Sequence, residues 1–378
     1  MVDKFPPLPA DDGGKLRSFA VLRRLADRGP VVLCSFDRPE ADRGALARLG
    51  VELRTVPWTP GPIRNLRGSL RTGSGSAGRF WDGRLATTIR EAMAEAPTDV
   101  FMVEHGQLGR YLKLGRAGRR VLDLHNVDSD LAASYARSAR PPRAQLAGLE
   151  SRLLRRMERA ALASADVVVT VSEEDAGRLA ADPAEVLVCP NGWEPGPVLP
   201  PAAAPVVLFT ALFGWRPNVD AAVWFVTEVW PAVVARCRQA RLLLVGKDPA
   251  PAVRALAGPT VEVTGTVPDV RPYLQRARVA VAPLLAGGGT RLKVLEALDA
   301  GRPVVGTSVG VAGLPRLAGS GVIVADAPAE MADALVTLLG DADRAAALGQ
   351  AGHDAVGHHY SWDGALRPLF DRLDGWAA

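Results

Sequence analysis

The chain has 378 residues, 48% of them hydrophobic and 23% charged, with a formal net charge of +4; this is ordinary globular composition, long enough for two domains. Only five of its 45 basic residues are lysines, and with abundant Ala, Gly and Pro this reads as GC-rich codon bias; no DNA- or RNA-binding motif stands out, so no nucleic-acid partner is expected. Three scattered cysteines without C-x-x-C, and five histidines without H-E-x-x-H, argue against a disulfide framework or a zinc site.

In chain order, Asp11-Asp12-Gly13-Gly14-Lys15 opens a helix through Leu16, Phe19, Leu22 and Leu25. An apolar strand follows at 31–34, a helix at 41–49 and a strand at 51–56. From Pro57 to Gly83 the alternation lapses into arginines interleaved with Gly and Ser. Composition favours a mobile surface loop; the functional alternative is a flap over an acceptor site or a basic contact to an anionic surface, which would make the protein peripheral to a membrane. A helix near 84–96 and strands at 100–103 and 120–124 resume the pattern, the second strand ending in His125-Asn126. A long helix through 149–162, strands at 166–171 and 185–189, and the turn Pro190-Asn191-Gly192 complete the first half.

Residues 195–205 are proline-rich and read as a stiff linker. A second α/β series follows: strands at 206–210, 242–245, 261–263, 279–282, 303–306 and 321–324, helices at 219–235 and 291–299, then helices to the end. The alternation predicts an α/β fold of two doubly wound halves, with ligands beyond the carboxyl ends of the strands. No charged-then-apolar leader opens the chain and no apolar run would span a bilayer, so a cytoplasmic protein is expected.

One stretch points to chemistry. Gly287-Gly288-Gly289-Thr290 lies where a buried strand hands over to a helix, and Arg291 and Lys293 stand in that helix's first turn. Cations there are unfavourable against the helix dipole unless an anion is bound. The turn is therefore a candidate phosphate or diphosphate site, with Glu296 one turn on as an acceptor of hydroxyl hydrogen bonds. A glycine-rich loop with solvent-facing Arg and Lys is the plainer alternative.

Several segments in order resemble the GT4 glycosyltransferases of GT-B fold: Gly13-Gly14, Asp123-Leu124-His125-Asn126-Val127, Pro190-Asn191-Gly192, Gly265-Thr266-Val267-Pro268, Val281-Ala282-Pro283-Leu284, Gly287 to Gly301, and Pro303-Val304-Val305. The resemblance implies two Rossmann-like domains facing across a cleft: an acceptor-side domain at 1–194, the linker 195–205, a donor domain at 206–359, and a C-terminal helix at 360–378 crossing back to the first domain. It implies a retaining transferase moving a hexosyl or related sugar from a nucleoside-diphosphate sugar to a small-molecule, glycan or glycolipid hydroxyl. By the same resemblance Gly13, Gly14, Gly288, Gly289, Thr290 and Arg291 approach the donor phosphates, Glu296 holds the ribose, the backbone at Val267 meets the base, and His125 sits over the transferring sugar. A lone histidine at a strand end is otherwise often structural. His105, after Glu104, is a weaker acceptor-side candidate.

The chain departs from the pattern in three places. The first acid of the usual E-x7-E pair falls on Gly288. The segment after the first strand of the second half, Phe213 to Asn218, supplies Arg216 but no lysine, so Lys293 is expected to neutralise the diphosphate, with Lys247 a further candidate. The opening Met1-Val2-Asp3 is too short for the usual first strand, which would leave neighbouring edges bare. Asp128-Ser129-Asp130 spells D-x-D, but Asp and Ser there read as a helix cap. Arginine, lysine and a helix N-terminus neutralise the diphosphate without a metal, so neither a metal nor a cofactor beyond the donor is expected. The rival readings are a nucleotide-sugar 2-epimerase, for which the site reads as poor in carboxylates and histidines, and a non-catalytic two-lobed sugar-binding protein.

Overall fold

The computed structural model describes residues 1–378 except 11, 60, 115–117, 139–140, 180–184, 287–290, 318 and 378, with the backbone alone described at 62–64, 138 and 377. The chain divides into two compact units, Met1–Pro190 with Leu366–Ala378, and Asn191–Ala365. Each is a parallel sheet dressed with helices.

The first unit has β1 (Val31–Phe36), β2 (Val51–Val56), β3 (Val100–Glu104), β4 (Arg119–Asp123), β5 (Val167–Thr170) and β6 (Glu185–Val188). Strands β1 and β2 pair in parallel, and β3 to β6 form a second parallel ladder. The opening residues join them. Val2 bridges Cys34 of β1 and Val103 of β3. Its N–H donates to the Met102 carbonyl at 2.8 Å, the Glu104 N–H to the Val2 carbonyl at 2.9 Å, and the Cys34 N–H to the Met1 carbonyl at 2.9 Å. The spatial order is thus β2, β1, residues 1–4, β3, β4, β5, β6. This corrects the expectation of a missing central strand. A strand buried on both faces and bonded on both edges needs few residues, because its neighbours supply the ladder. The topological switch lies between residues 1–4 and β3.

The stretch 57–83 is also not the loop that composition suggests. Pro62–Thr72 is a helix with proline in its first turn, closed by Gly73 at φ 80°, and Gly75–Gly78 adds a helical turn. Glycine and serine serve close packing here. A Cβ on Gly68 would stand 1.9 Å from the Gly78 carbonyl oxygen. Glu150, on the helix Arg143–Leu162, accepts from the Ser74 and Ser76 hydroxyls and from the Gly75 and Ser76 N–H groups.

The second unit has β7 (Val206–Thr210), β8 (Arg241–Val245), β9 (Val261–Gly265), β10 (Val279–Ala282), β11 (Val304–Gly306) and β12 (Val322–Val324). Their spatial order is β12-β11-β10-β7-β8-β9, all parallel. In chain order this is 3-2-1-4-5-6, the doubly wound dinucleotide-fold order, with its switch between β7 and β10. Val207, Phe209, Leu242, Leu244, Val279 and Val281 sit in one apolar cluster with helix residues such as Phe225 and Leu335, which fixes the strands' register.

The proline-rich stretch is not a free connector. The Gly196 N–H donates to Asp299, the Leu199 N–H to the Ala300 carbonyl, and Arg271 and Arg302 reach the Pro197 and Pro200 carbonyls. Prolines lack the N–H but keep the carbonyl, and arginines collect those carbonyls, so the segment is bound to the second unit. From Leu366 onward the helix Trp362–Ala377 belongs to the first unit. There Arg372 pairs with Glu185 at 2.8 Å, and Arg28 pairs with Asp374 at 2.9 Å and lies over the Phe370 ring.

Candidate functional site

In the first unit the carboxyl ends of residues 1–4, β3 and β4 bring an unusual number of titratable groups together. Glu104 and Asp123 end adjacent strands in register, and both are fully buried. Side by side, two bare carboxylates would repel. Asp123 is neutralised: Arg17 donates its Nε and Nη2 to the carboxylate at 2.9 Å each, and Nη1 to the Cys189 carbonyl at 2.9 Å. Arg17 lies in the first turns of the helix Gly13–Ala26, whose N-terminus Asp12 caps by accepting from the Lys15 N–H. The arginine therefore anchors Gly13 and Gly14 over the strand ends.

Glu104 has a different partner. Its Oε2 lies 2.7 Å from His125 Nε2. Burial first, then Asp123 and Asp3, raises the Glu104 carboxyl well above its ordinary value. Burial first, then His105, holds His125 well below its own. Both shifts favour the neutral pair, in which the Glu104 acid O–H donates to Nε2 and the imidazole carries its proton on Nδ1. That Nδ1 has no hydrogen-bond partner among the described residues, and neither has Glu104 Oε1. A Cβ on Gly14 would stand 3.6 Å from His125 Nδ1 and 3.6 Å from His105 Cε1, so Gly14 packs against both rings. The His105 ring centre is 3.8 Å from that of His125, and its Nε2 is 3.4 Å from Asp3 Oδ1. His105 has a left-handed φ of 66°, a conformation that non-glycine residues hold where the surroundings enforce it. Four titratable side chains thus form one group, with Asp3, Glu104 and His125 buried and His105 half-buried. This overturns the expectation that the site is poor in carboxylates and histidines.

Glu104, Asp123 and His125 bring donor atoms within 4.8 Å of one another. Arg17 already places a fixed cation on Asp123, so a metal there would meet like charge. The D-x-D decoy does not join them as a set. Asp130 is spent on Arg155 and Arg178, and the Ser129 N–H donates to Glu158.

The second unit places its candidates at the switch between β7 and β10. Lys293, on the helix Leu292–Asp299, donates from Nζ to Asn218 Oδ1 at 3.0 Å and lies 5.0 Å over the Phe209 ring. Asn218 is buried on the helix Arg216–Trp224, and its Nδ2 donates to the Leu212 carbonyl at 2.9 Å. The amide orientation is therefore set by both of its ends. Arg291 is buried, with Nε and Nη2 each 3.2 Å from the Val309 carbonyl. Burial, then Arg291, lowers Lys293 to about 7, while Glu296 opposes. Burial, then Asp269, raises Glu296 to about 7, while Lys293 opposes. A lysine and an arginine stand together at a helix N-terminus, where a bound anion would offset both the desolvation and the helix dipole.

Gly13, Gly14 and His125 meet in the first unit; Arg291, Lys293 and Glu296 meet in the second. Arg216 does not join its group: it is exposed and pairs with Asp220 at 2.8 Å, one helical turn on. The Lys247 carbonyl accepts the Phe213 N–H at 2.9 Å, tying the loops after β7 and β8 together. Gly246 is needed beside it, since a Cβ would fall 1.7 Å from the Ala211 carbonyl oxygen. Val267, beyond β9, is half-buried against the core. A cavity of about 430 Å³ beyond β8 and β9 is lined by Asp248, Pro249, Arg254, Val263, Thr264 and Thr266. Gly288, Gly289 and Thr290 lie outside the described residues. Sequence reasoning missed Arg17, Glu104 and Asn218. Arg17 interrupts an apolar helix face and Glu104 ends an apolar strand as Asp123 does, so both left a signal; Asn218 left none beyond its neighbour Arg216.

Two doubly wound parallel sheets, each with polar groups at its switch point, define the GT-B class of α/β protein. Residues 12–192 match the family described as the glycosyl transferase 4-like domain, and residues 204–341 match glycosyl transferases group 1. The chain belongs to this family of glycosyltransferases. Among solved structures it is similar to a sucrose-phosphate synthase from Thermosynechococcus elongatus, at 18% identity and TM-score 0.69 over 98% of this chain and 95% of that one. It is similar to Anabaena HepE in complex with UDP-glucose, at 14% identity and TM-score 0.67 over 99% and 98%. A glycosyltransferase from Rickettsia africae follows at 13% identity and TM-score 0.66, over 100% and 98%. No curated protein matches the chain.

Proposed function

We propose that the chain is a retaining glycosyltransferase that takes its sugar from a nucleoside-diphosphate donor without a metal. The observation that carries this reading is the Arg291, Lys293 and Glu296 group, held by Asn218 at the switch point of the second unit. Lys293 and Arg291 meet the diphosphate. Glu296 accepts from ribose hydroxyls, the only hydrogen-bonding role open to its ionised form. The cavity beyond β8 and β9, with the Val267 backbone at its side, takes the base. The Anabaena neighbour was solved with UDP-glucose, so uridine donors of hexoses are the first to try.

In the reaction the bond from the anomeric carbon to the β-phosphate oxygen breaks as the acceptor oxygen bonds to that carbon from the same face. The acceptor's proton passes to the departing phosphate. Charge builds on that phosphate, and fixed cations and N–H groups aimed at it lower the barrier most. His125 offers its Nδ1–H to a hydroxyl of the transferring sugar, and Glu104 keeps the proton on that nitrogen.

The acceptor is a hydroxyl on a small molecule, glycan or glycolipid. Calorimetry with UDP, GDP, ADP and dTDP in metal-free buffer tests the donor site. One diphosphate should bind, and Glu296→Ala and Lys293→Ala should each weaken it. The group of Asp3, Glu104, His105 and His125 supports one second reading, a nucleotide-sugar 2-epimerase. Incubation with donor alone separates the two, since epimerisation needs no acceptor.

A further inference from the structure

The helix Pro62–Thr72 is amphipathic the wrong way round. Its inward stripe is Asn65, Gly68, Ser69 and Thr72, all buried or half-buried. These residues are small or polar, and Gly68 rests on Gly78. The Ser69 hydroxyl donates to the Asn65 carbonyl at 2.7 Å and the Thr72 hydroxyl to the Gly68 carbonyl at 3.0 Å, so both inward hydroxyls are satisfied by the helix's own backbone. Two of its large apolar side chains point outward: Leu66 is 62% exposed and Leu70 is 79% exposed. Arg67 and Arg71, both exposed, stand beside them one turn apart. A helix whose job was to close the fold would bury its leucines.

The charge on the helix's outer face has one sign, and the acid that lines the groove beside it, Asp82, is paired with Arg84. From Pro57 to Trp81 the chain carries four arginines and no acid. Arg110 adds to it: its guanidinium bonds the Arg71 carbonyl and lies 5.3 Å over the Trp81 ring. A groove of about 700 Å³ runs beside the helix, lined by Arg67, Leu70, Arg71 and Trp81 among others. Outward leucines at i and i+4, flanked by arginines, combine a side chain that gains from leaving water with a cation that gains from a negative surface. No helix among the described residues is long and apolar enough to cross a membrane.

We propose that the outer face of the helix Pro62–Thr72 docks on an anionic lipid bilayer, with Leu66 and Leu70 entering the headgroup boundary and Arg67 and Arg71 pairing with lipid phosphates. The test is flotation of the full chain with neutral phosphatidylcholine vesicles and with vesicles carrying phosphatidylglycerol. Binding should require the anionic lipid and fall steeply with added salt. Leu66→Ser with Leu70→Ser should reduce it about tenfold or more, as should Arg67→Gln with Arg71→Gln. Because these side chains are exposed, both variants should keep the wild-type melting temperature. Equal binding by wild type and either double variant overturns the proposal. So does no binding to anionic vesicles, or a wild-type dimer that the leucine variant dissolves, which would make the face a self-association surface. The assay uses neither donor nor acceptor, so its result is independent of the transferase reading.

Discussion

Donor binding should be bell-shaped in pH, with its summit near neutrality. In the free protein Lys293 sits at about 7 against an ordinary 10.5, because burial disfavours its charge and Arg291 adds to that. Glu296 sits at about 7 because burial, then Asp269, disfavours the carboxylate. A diphosphate needs the ammonium form, so its arrival raises the Lys293 pKa. Above pH 7 binding must take up a proton, and affinity falls by up to about tenfold per pH unit. Ribose hydroxyls need the carboxylate, so their arrival lowers the Glu296 pKa. Below pH 7 binding must release a proton, and affinity falls toward acid with the same limiting slope. Full recovery of the ordinary lysine value would be worth about 4–5 kcal/mol, an upper bound because the Lys293 residue is only half-buried. Calorimetric titration with the nucleoside diphosphate, from mildly acid to mildly alkaline buffer, reads both limbs. Lys293→Met should flatten the alkaline limb and Glu296→Gln the acid one. A wild-type affinity that is level through neutrality, or an alkaline limb that survives in Lys293→Met, refutes the reasoning.

Other substitutions test the supporting structure. Arg17→Met leaves Asp123 buried and unpaired; it should cost about 3–5 kcal/mol, read as a lower denaturation midpoint. Glu104→Gln should do the opposite at alkaline pH. Because Glu104 is raised in the fold, it binds a proton there that the unfolded chain has lost, so its contribution to stability declines as pH rises above the ordinary 4.5. Removing the acid should flatten that decline and make the variant the more stable protein in mild alkali; thermal melts across pH would show it, and an unchanged profile would contradict it. Gly68→Leu forces a side chain where only 1.9 Å separates a Cβ from the Gly78 carbonyl oxygen. It should part the helix Pro62–Thr72 from Gly75–Gly78, seen as faster proteolysis at 72–75 than in wild type.

The alternation of apolar runs and helical spacing made the two doubly wound units legible, because strands buried on both faces must be continuously apolar. The Gly287–Glu296 turn was legible because cations at a helix start are locally wrong and need a reason. What stayed hidden depended on distant partners. Arg17 marks a break in an apolar helix face, but its role shows only once Asp123, 106 positions away, is seen beside it. Asn218 meets Lys293 only because β7 and β10 are neighbours at the switch. The helix Pro62–Thr72 was lost for another reason. Its interior contact is built from Gly, Ser and Thr, the residues that signal a loop when helical propensity alone is read. Residues 1–4 were dismissed on length, though their place between β1 and β3 lets two neighbours hold them.

The most direct test of the central claim is proton NMR of the purified protein turning over an α-linked nucleotide sugar with an acceptor hydroxyl, in metal-free buffer. The account predicts release of the nucleoside diphosphate and a product whose new glycosidic bond is also α. A β-linked product would contradict the retaining mechanism. A donor changed at its second carbon, with no diphosphate released, would contradict transfer and leave the epimerase reading in its place.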